Sequence, residues 1–211
     1  MFISFEGVDG SGKSTQVKLL AERLEAEGFQ VEVFREPGGT QLSEEVRRLL
    51  LDPAQEINPF AEMLLFSAAR SQLVEEKIKP GIQAGHVIIC DRFFDSTIAY
   101  QGAGRELEQM DWLADFQRKV AGGLSPFRTY LVDVTIETAV QRRLARSNGK
   151  EDRMEKGGEA FFERVIAGYR EIAGNEQDRF VVLDGSQSID VLHEQIYVDF
   201  KNTWEKRLEL G

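Results

Sequence analysis

Residues 5–16 read FEGVDGSGKSTQ. Gly7, Gly12, Lys13 and Ser14 satisfy the spacing G-x-x-x-x-G-K-[ST] of a phosphate-binding loop. The chemistry needs these residue types. Glycines let the backbone turn tightly, so that successive N–H groups from Val8, Asp9, Gly10 and Ser11 can point at phosphate oxygens. Lys13 places a point charge on the β- and γ-phosphates, Ser14 offers a hydroxyl to a magnesium ion, and Thr15 reaches a neighbouring phosphate. A helix starting here adds its positive N-terminal end. The pattern arises by chance on the order of once per hundred chains of this length. An apolar run before it (2–5) and an amphipathic stretch after it, with Val17, Leu20, Ala21 and Leu24 at helical spacing, make chance a poor explanation. Residues 7–15 are therefore the expected ATP-binding segment.

A second set of residues falls where an open α/β sheet collects its ligands, at the carboxyl ends of strands. FREPGGT (34–40) follows the second apolar run and DRF (91–93) the third. Phe66 and Arg70 lie four apart in LLFSAAR (64–70), and STIAYQG (96–102) carries Tyr100 and Gln101. Taken singly, Phe66 reads as core, Arg70 as a surface charge, Asp91-Arg92 as a strand-end pair and Gly38-Gly39 as a turn. Taken together they suit a nucleoside monophosphate. Phe66 supplies an aromatic face, Arg70 and Gln101 supply edge donors and acceptors, and Arg35 and Arg92 supply bidentate phosphate grips.

The elements that position these residues are legible from periodicity. Strands are expected at 2–5, 29–34, 86–90, 129–133 and 179–183. Helices are expected at 41–51, 58–79, 96–102, 110–120, 136–146, 159–173 and 189–208, with Gly28 ending the helix after the loop. Strands alternating with helices imply an α/β fold with a parallel sheet. The stretch RSNGKEDRMEKGGE (146–159) is polar and glycine-containing, and on composition alone it is a solvated loop. His86 and His193 show no partner spacing and read as structural.

The chain has 211 residues, 42% hydrophobic and 29% charged, with a formal net charge of -10. The charge argues against a basic nucleic-acid footprint, so an anionic ligand must be held by local Arg, Lys and backbone N–H groups. Cys90 is the one cysteine, which excludes an internal disulfide and fits a reducing compartment. No signal peptide and no run near the ~20 residues of a membrane span is evident. A cytoplasmic protein with no membrane partner is expected. No Asn-Lys-x-Asp element of a GTPase switch occurs, and the chain is short for a motor or transporter. That leaves a kinase of a small metabolite.

FEGVDGSGKST, REPGGT, LLFSAAR, DRFFDSTIAYQG and EDRMEKGGEAFFERVIAGYREIA stand in the order and spacing of the thymidylate kinases. The chain resembles the bacterial kind over roughly residues 2 to 185. The resemblance implies a three-layer P-loop fold with a five-stranded parallel sheet in the order 2-3-1-4-5, one kinase domain over 1–211 and a mobile lid at about 146–158. It implies the reaction ATP + dTMP → ADP + dTDP with Mg²⁺, and a homodimer through helices of the 58–120 region. Phe66 would stack on thymine, and Arg70 and Gln101 would read its edge. Ser96 would lie near the base and Tyr100 would crowd the 2′ position. Arg35 and Arg92 would hold the dTMP phosphate, beside a tight Glu36-Pro37 turn with a cis bond. Asp9 would orient the acceptor and Asp91 would join the Mg²⁺ shell beside Ser14.

Two departures stand out. Some members carry an arginine just after the loop's acidic residue, where this chain has Gly10, and many have Tyr or His where it has Phe93-Phe94. The missing charge would then come from the lid, which turns the 146–159 stretch from a plain loop into a functional one. Arg153 aligns best with the lid arginine, ahead of Arg146 and Lys150, so the expected catalytic set is Asp9, Lys13, Arg92 and Arg153. Two alternatives stay open at this point: a kinase of another deoxynucleotide or nucleoside, and a nucleotide-binding regulator without turnover.

Overall fold

The computed structural model describes residues 1–107, 110–147 and 152–210. Five parallel strands form one sheet in the order β2-β3-β1-β4-β5. They are β1 (Phe2–Glu6), β2 (Val31–Arg35), β3 (Val87–Asp91), β4 (Arg128–Asp133) and β5 (Phe180–Asp184). The order expected from the resemblance is the order found. β1 sits at the centre, paired on one side with β3 and on the other with β4.

Both faces of the sheet are covered, which is why the strands read as near-continuous apolar runs. The alternation of side chains divides them cleanly. Ile3, Phe5, Val87, Ile89, Tyr130 and Val132 enter one core with α1 (Lys13–Ala26) and α9 (Ile189–Leu210). Phe2, Ile88, Cys90 and Leu131 enter the other. That second core is closed by α3 (Pro59–Leu73), α5 (Phe94–Thr97) and α8 (Glu159–Asn175). Each fully buried Phe, Ile or Leu stabilises the fold by about 1.5–3 kcal/mol relative to exposure. Cys90 is a free, buried thiol in this core.

The remaining α-helices among the described residues are α2 (Gln41–Leu51), α4 (Lys79–Gln83), α6 (Met110–Val120) and α7 (Ile136–Ser147). The expected helix at 58–79 is α3 continued through a π-helical turn, Val74–Ile78, into α4. The helix expected at 96–102 begins earlier, at Phe94, and also widens into a π-helix, Ile98–Gly104. β2 starts two residues later than periodicity suggests. Phe29 leaves the strand to pack edge-on against Phe200 and Trp204 of α9. Gly28, at φ 88, ends α1 as expected. His86 is structural, its Nδ1 2.6 Å from Glu32 Oε1.

Candidate active site

The loop between β1 and α1 has the backbone that its glycines permit. Gly7, Gly10 and Gly12 have φ of 138°, 89° and 101°. A side chain at Gly10 would meet the Ala139 carbonyl oxygen at 2.5 Å. This explains the glycine where some thymidylate kinases carry arginine: α7 lies directly on the loop. From the same helix Arg142 donates to the Ser11 carbonyl at 3.1 Å and to the Gly185 carbonyl at 3.0 Å. Lys13 opens α1, buried, with Nζ 3.7 Å from Asp9 Oδ1 and 3.8 Å from Asp91 Oδ1. Ser14 Oγ donates to Asp91 Oδ2 at 2.5 Å. Burial and the charge of Arg92 pull the Lys13 ammonium below its ordinary value, against the attraction of Asp91 and Asp9.

Arg92 links this loop to the neighbouring cleft. It follows β3 at φ 76°, an unusual conformation for a side-chain-bearing residue. Its Nη2 donates to Asp9 Oδ1 and to Tyr100 OH, both at 3.0 Å. Its Nη1 donates to Tyr169 OH at 3.1 Å and Ser96 Oγ at 3.2 Å. Burial alone would raise the Asp9 carboxyl, but Arg92 and Lys13 hold it well below the usual carboxylate range. Tyr100 is pushed up by burial and by Asp9, against Arg92, so it stays a neutral hydroxyl.

Behind this pair lies Glu6, the last residue of β1, fully buried. It accepts from Phe93 N–H at 2.7 Å, Ser96 Oγ at 2.6 Å and Tyr169 OH at 2.9 Å. Burial first, and the Asp95 carboxylate second, push its pKa to about 7 against the bond from Ser96 and the charge of Arg92. Nothing in the sequence pattern marks Glu6, because an acidic residue ending a central strand has no periodic signature.

The cleft beside Arg92 is open to solvent and spans about 540 Å³ with the space at its mouth included. Asp9, Glu36, Pro37, Phe66, Arg70, Arg92, Ser96, Tyr100 and Gln101 all line it, so nine of the ten residues expected at the acceptor meet there. Phe66 offers its ring at the wall. Arg70 is buried and anchored from several sides: to Glu36 at 2.7 Å, Thr97 at 3.0 Å, Gln117 at 2.6 Å and the Phe93 carbonyl at 3.2 Å. Burial raises the Glu36 carboxyl despite Arg70 beside it. The Glu36-Pro37 bond is cis.

Arg35 is the residue that does not line the cleft. Its side chain is 59% exposed and faces Glu44 Oε2 at 3.4 Å. Arg47 of α2 lines the cleft and donates to the Pro37 carbonyl at 2.9 Å. Sequence reasoning missed Arg47. The helical spacing that puts it on the REPGGT side of α2 is visible, but only the fold shows that this side faces a cavity.

Of the 146–158 segment expected to form a lid, residues 146–147, at the end of α7, and 152–158 are described. Lys150 and the side chain of Arg146 lie outside the described residues. Arg153 rests against the acceptor cleft. Its Nε donates to the Leu50 carbonyl at 2.7 Å, its Nη1 to Glu62 Oε2 at 2.5 Å, and its backbone N–H to the Leu51 carbonyl at 3.2 Å. Asp152 and Met154 line the cleft on either side of it. Among the described residues, Arg142 is the arginine bonded to the phosphate loop backbone, and Arg153 makes no bond to it.

A cation would find oxygen at Ser14 and Asp91, the donor type that magnesium takes. Among the described residues no cluster of three or more His, Cys, Asp or Glu could hold a metal by itself. Also among the described residues, no helix is long and apolar enough to cross a membrane.

The chain is similar to known proteins over most of its length. A family model described as thymidylate kinase matches residues 5–196. The thymidylate kinase of Exiguobacterium sibiricum is 42% identical, over 100% of this chain and 98% of that protein. That of Deinococcus radiodurans is 44% identical, over 93% of this chain and 94% of that one. Among solved structures, the thymidylate kinase from Ehrlichia chaffeensis superposes with a TM-score of 0.77 at 35% identity, covering 95% of this chain and 98% of that chain.

Proposed function

This chain belongs to the thymidylate kinase family, and from that premise we propose how its residues divide the work of carrying a phosphoryl group from ATP to dTMP. The protein is a kinase that converts dTMP to dTDP with ATP as donor. The observation that carries the residue assignment is the bridge of Arg92. One guanidinium touches Asp9 of the phosphate loop and Tyr100 and Ser96 of the acceptor cleft. On this reading the two ligands would lie on either side of a single cation.

Phosphoryl transfer needs alignment and neutralised charge more than covalent help. The backbone of residues 7–15 and Lys13 hold the donor phosphates. Arg92 neutralises the dTMP phosphate and, through Asp9, is fixed against the loop. Arg47 adds a second positive charge from the cleft wall. Arg35, outside the cleft, contributes less. Asp9, kept ionised, orients the acceptor rather than taking a proton. Phe66 stacks on the base, Arg70 and Gln101 read its edge, and Tyr100 crowds the 2′ position. Ser14, with Asp91 beside it, would hold a magnesium ion, which would supply charge neutralisation on the donor phosphates. Arg153 completes the charge around the transferring group when the lid leaves its seat on Glu62 and Leu50 and closes over ATP.

The protein works as a homodimer in the cytoplasm, with neither nucleic acid nor membrane as partner. Phe60 and Leu64 of α3 are exposed, and Phe60 lies 6.1 Å from the half-buried Trp112 of α6. This aromatic face belongs to the 58–120 region and supports the dimer. The assignment of the cleft is tested by ADP release from ATP and Mg²⁺ with each nucleoside monophosphate in turn. The expected result is strong turnover with dTMP, weaker with dUMP, and none with AMP, GMP or CMP. Equal turnover with a purine monophosphate would remove the roles given to Phe66, Arg70 and Gln101.

A further inference from the structure

Behind the base-reading glutamine stands a buried carboxylate whose part so far is only to seat Arg153. Glu62 of α3 is fully buried, apart from the phosphate loop and its Arg92 bridge. Its Oε1 accepts from Gln101 Nε2 at 2.8 Å and from Arg105 Nε at 3.2 Å. Its Oε2 accepts from Arg105 Nη2 at 3.3 Å and from Arg153 Nη1 at 2.5 Å. Two guanidiniums thus offset the cost of burying the charge, and Arg105 remains when Arg153 moves with the lid. Arg105 is itself pinned, 4.6 Å over the ring of Phe161.

A carboxylate between two guanidiniums can only accept. A glutamine amide has a donating end and an accepting end, and a half-turn of its last torsion exchanges them. The bond to Glu62 removes that freedom. One N–H of Gln101 is committed to Glu62 on α3, which fixes the orientation of the amide and leaves its oxygen as the acceptor for the cleft that Gln101 lines. We infer that Glu62 sets the hydrogen-bond polarity of the base pocket, making Gln101 an acceptor. A pyrimidine with an N–H at position 3, thymine or uracil, then finds a partner. Cytosine presents a bare lone pair there and is refused, because two acceptors face one another out of water. This rests on the reading of Gln101 as a base-edge contact and makes Glu62 a positioning residue for it. The donor-only Arg70 stays in place whatever happens to Glu62, so the selectivity lost with Glu62 is partial.

The test is Glu62→Gln, which keeps shape but can donate, and so lets the Gln101 amide turn. Steady-state kinetics with dTMP and dCMP and a thermal melt are measured together. The expected result is a roughly tenfold or greater loss of kcat/KM for dTMP, mostly through KM, and a dTMP-to-dCMP ratio lowered by about tenfold. A merely structural role would depress both substrates in equal proportion, and an unchanged ratio overturns the inference. Gln101→Leu separates the two layers of the argument. If it leaves KM for dTMP unmoved, the reading of Gln101 fails. If it raises KM while Glu62→Gln leaves the ratio intact, the role of Glu62 alone fails. Should Glu62→Gln not fold, the unaltered protein decides by ¹⁵N spectroscopy. The Gln101 side-chain amide protons are expected to stay slow to exchange, with little shift, when dTMP binds. A large shift with loss of protection would mean that the nitrogen turns to the base, and would overturn the inference.

Discussion

The two halves of this active site are built on different principles. The donor half is made of backbone: one loop of consecutive residues, its glycines at positive φ, closed from above by α7. The acceptor half is made of side chains from the phosphate loop, the turn after β2, α2, α3, the residue that follows β3, the Phe94–Gly104 helix, Asp152 and Met154, brought together only by the fold. A backbone site tolerates little change in sequence, because a Cβ at Gly7 or Gly10 would strike a carbonyl oxygen at 2.6 or 2.5 Å. A side-chain site can trade one contributor for another, as the positions of Arg35 and Arg47 illustrate.

The largest test of this contrast is Lys13→Met. Lys13 has no substitute in the loop, since Gly10 carries no charge and has no room for one. Turnover should fall by more than about 10³-fold. Residual activity near that of the unaltered protein, read as ADP release, would end the phosphate-loop reading. Next comes Arg153→Ala. If the lid arginine reaches the transferring group, kcat drops by about 10²–10³-fold while KM for dTMP scarcely moves. The seat of Arg153 on Glu62 and the Leu50 carbonyl makes the opposite split informative. A raised KM with kcat preserved would make it a wall of the acceptor cleft and would leave the donor half with Lys13 and Arg142.

A smaller effect separates the two candidate phosphate grips. Arg47→Ala should raise KM for dTMP by roughly tenfold, as expected for loss of a charge-assisted contact in a partly buried cleft. Arg35→Ala should change it by less than about threefold, because its partner is the exposed Glu44 and surface pairs contribute little. Comparable losses would mean that Arg35 turns inward when dTMP binds.

The same contrast governs what was legible in the sequence. The phosphate loop could be read because a backbone site is local, and its residue types and spacing are the site. The sheet could be read because strands covered on both faces are runs such as HVIIC and TYLVDV, and the topology followed from the family resemblance. Phe66, Arg70, Tyr100 and Gln101 were legible through motifs matched to that family, and Gly28 through turn chemistry. Arg47, Glu62 and Glu6 were not. Each is an ordinary charged residue on a helix or strand, and its role comes from which neighbours the tertiary fold sets against it. The seat of Arg153 was illegible for the same reason. A polar segment declares that it is a loop, not what it leans on.

The subtlest test concerns the residue that joins the two halves. Glu6 ends the central strand, opens the turn into the phosphate loop, and carries the Ser96 and Tyr169 hydroxyls on which Arg92 rests. Its pKa stands at about 7 against an ordinary glutamate value of 4.5. The folded chain therefore binds this proton more tightly than the unfolded chain does. Between about 4.5 and 7 the folded state carries more protons, so stability is full below that window and declines as pH rises through it. The depressed Asp9 acts in the other sense and outside the window, its contribution being lost only as pH falls below the ordinary aspartate range. The loss from Glu6 is on the order of 1–3 kcal/mol, which for a chain of this size is several degrees in Tm. Glu6→Gln keeps an acceptor for Phe93 N–H and removes the proton equilibrium, so its curve of Tm against pH should be flatter across the window. Parallel curves for the two proteins would show that Glu6 does not titrate there. The support beneath Arg92 would then be a fixed charge, and the acceptor half as rigidly preset as the loop beside it.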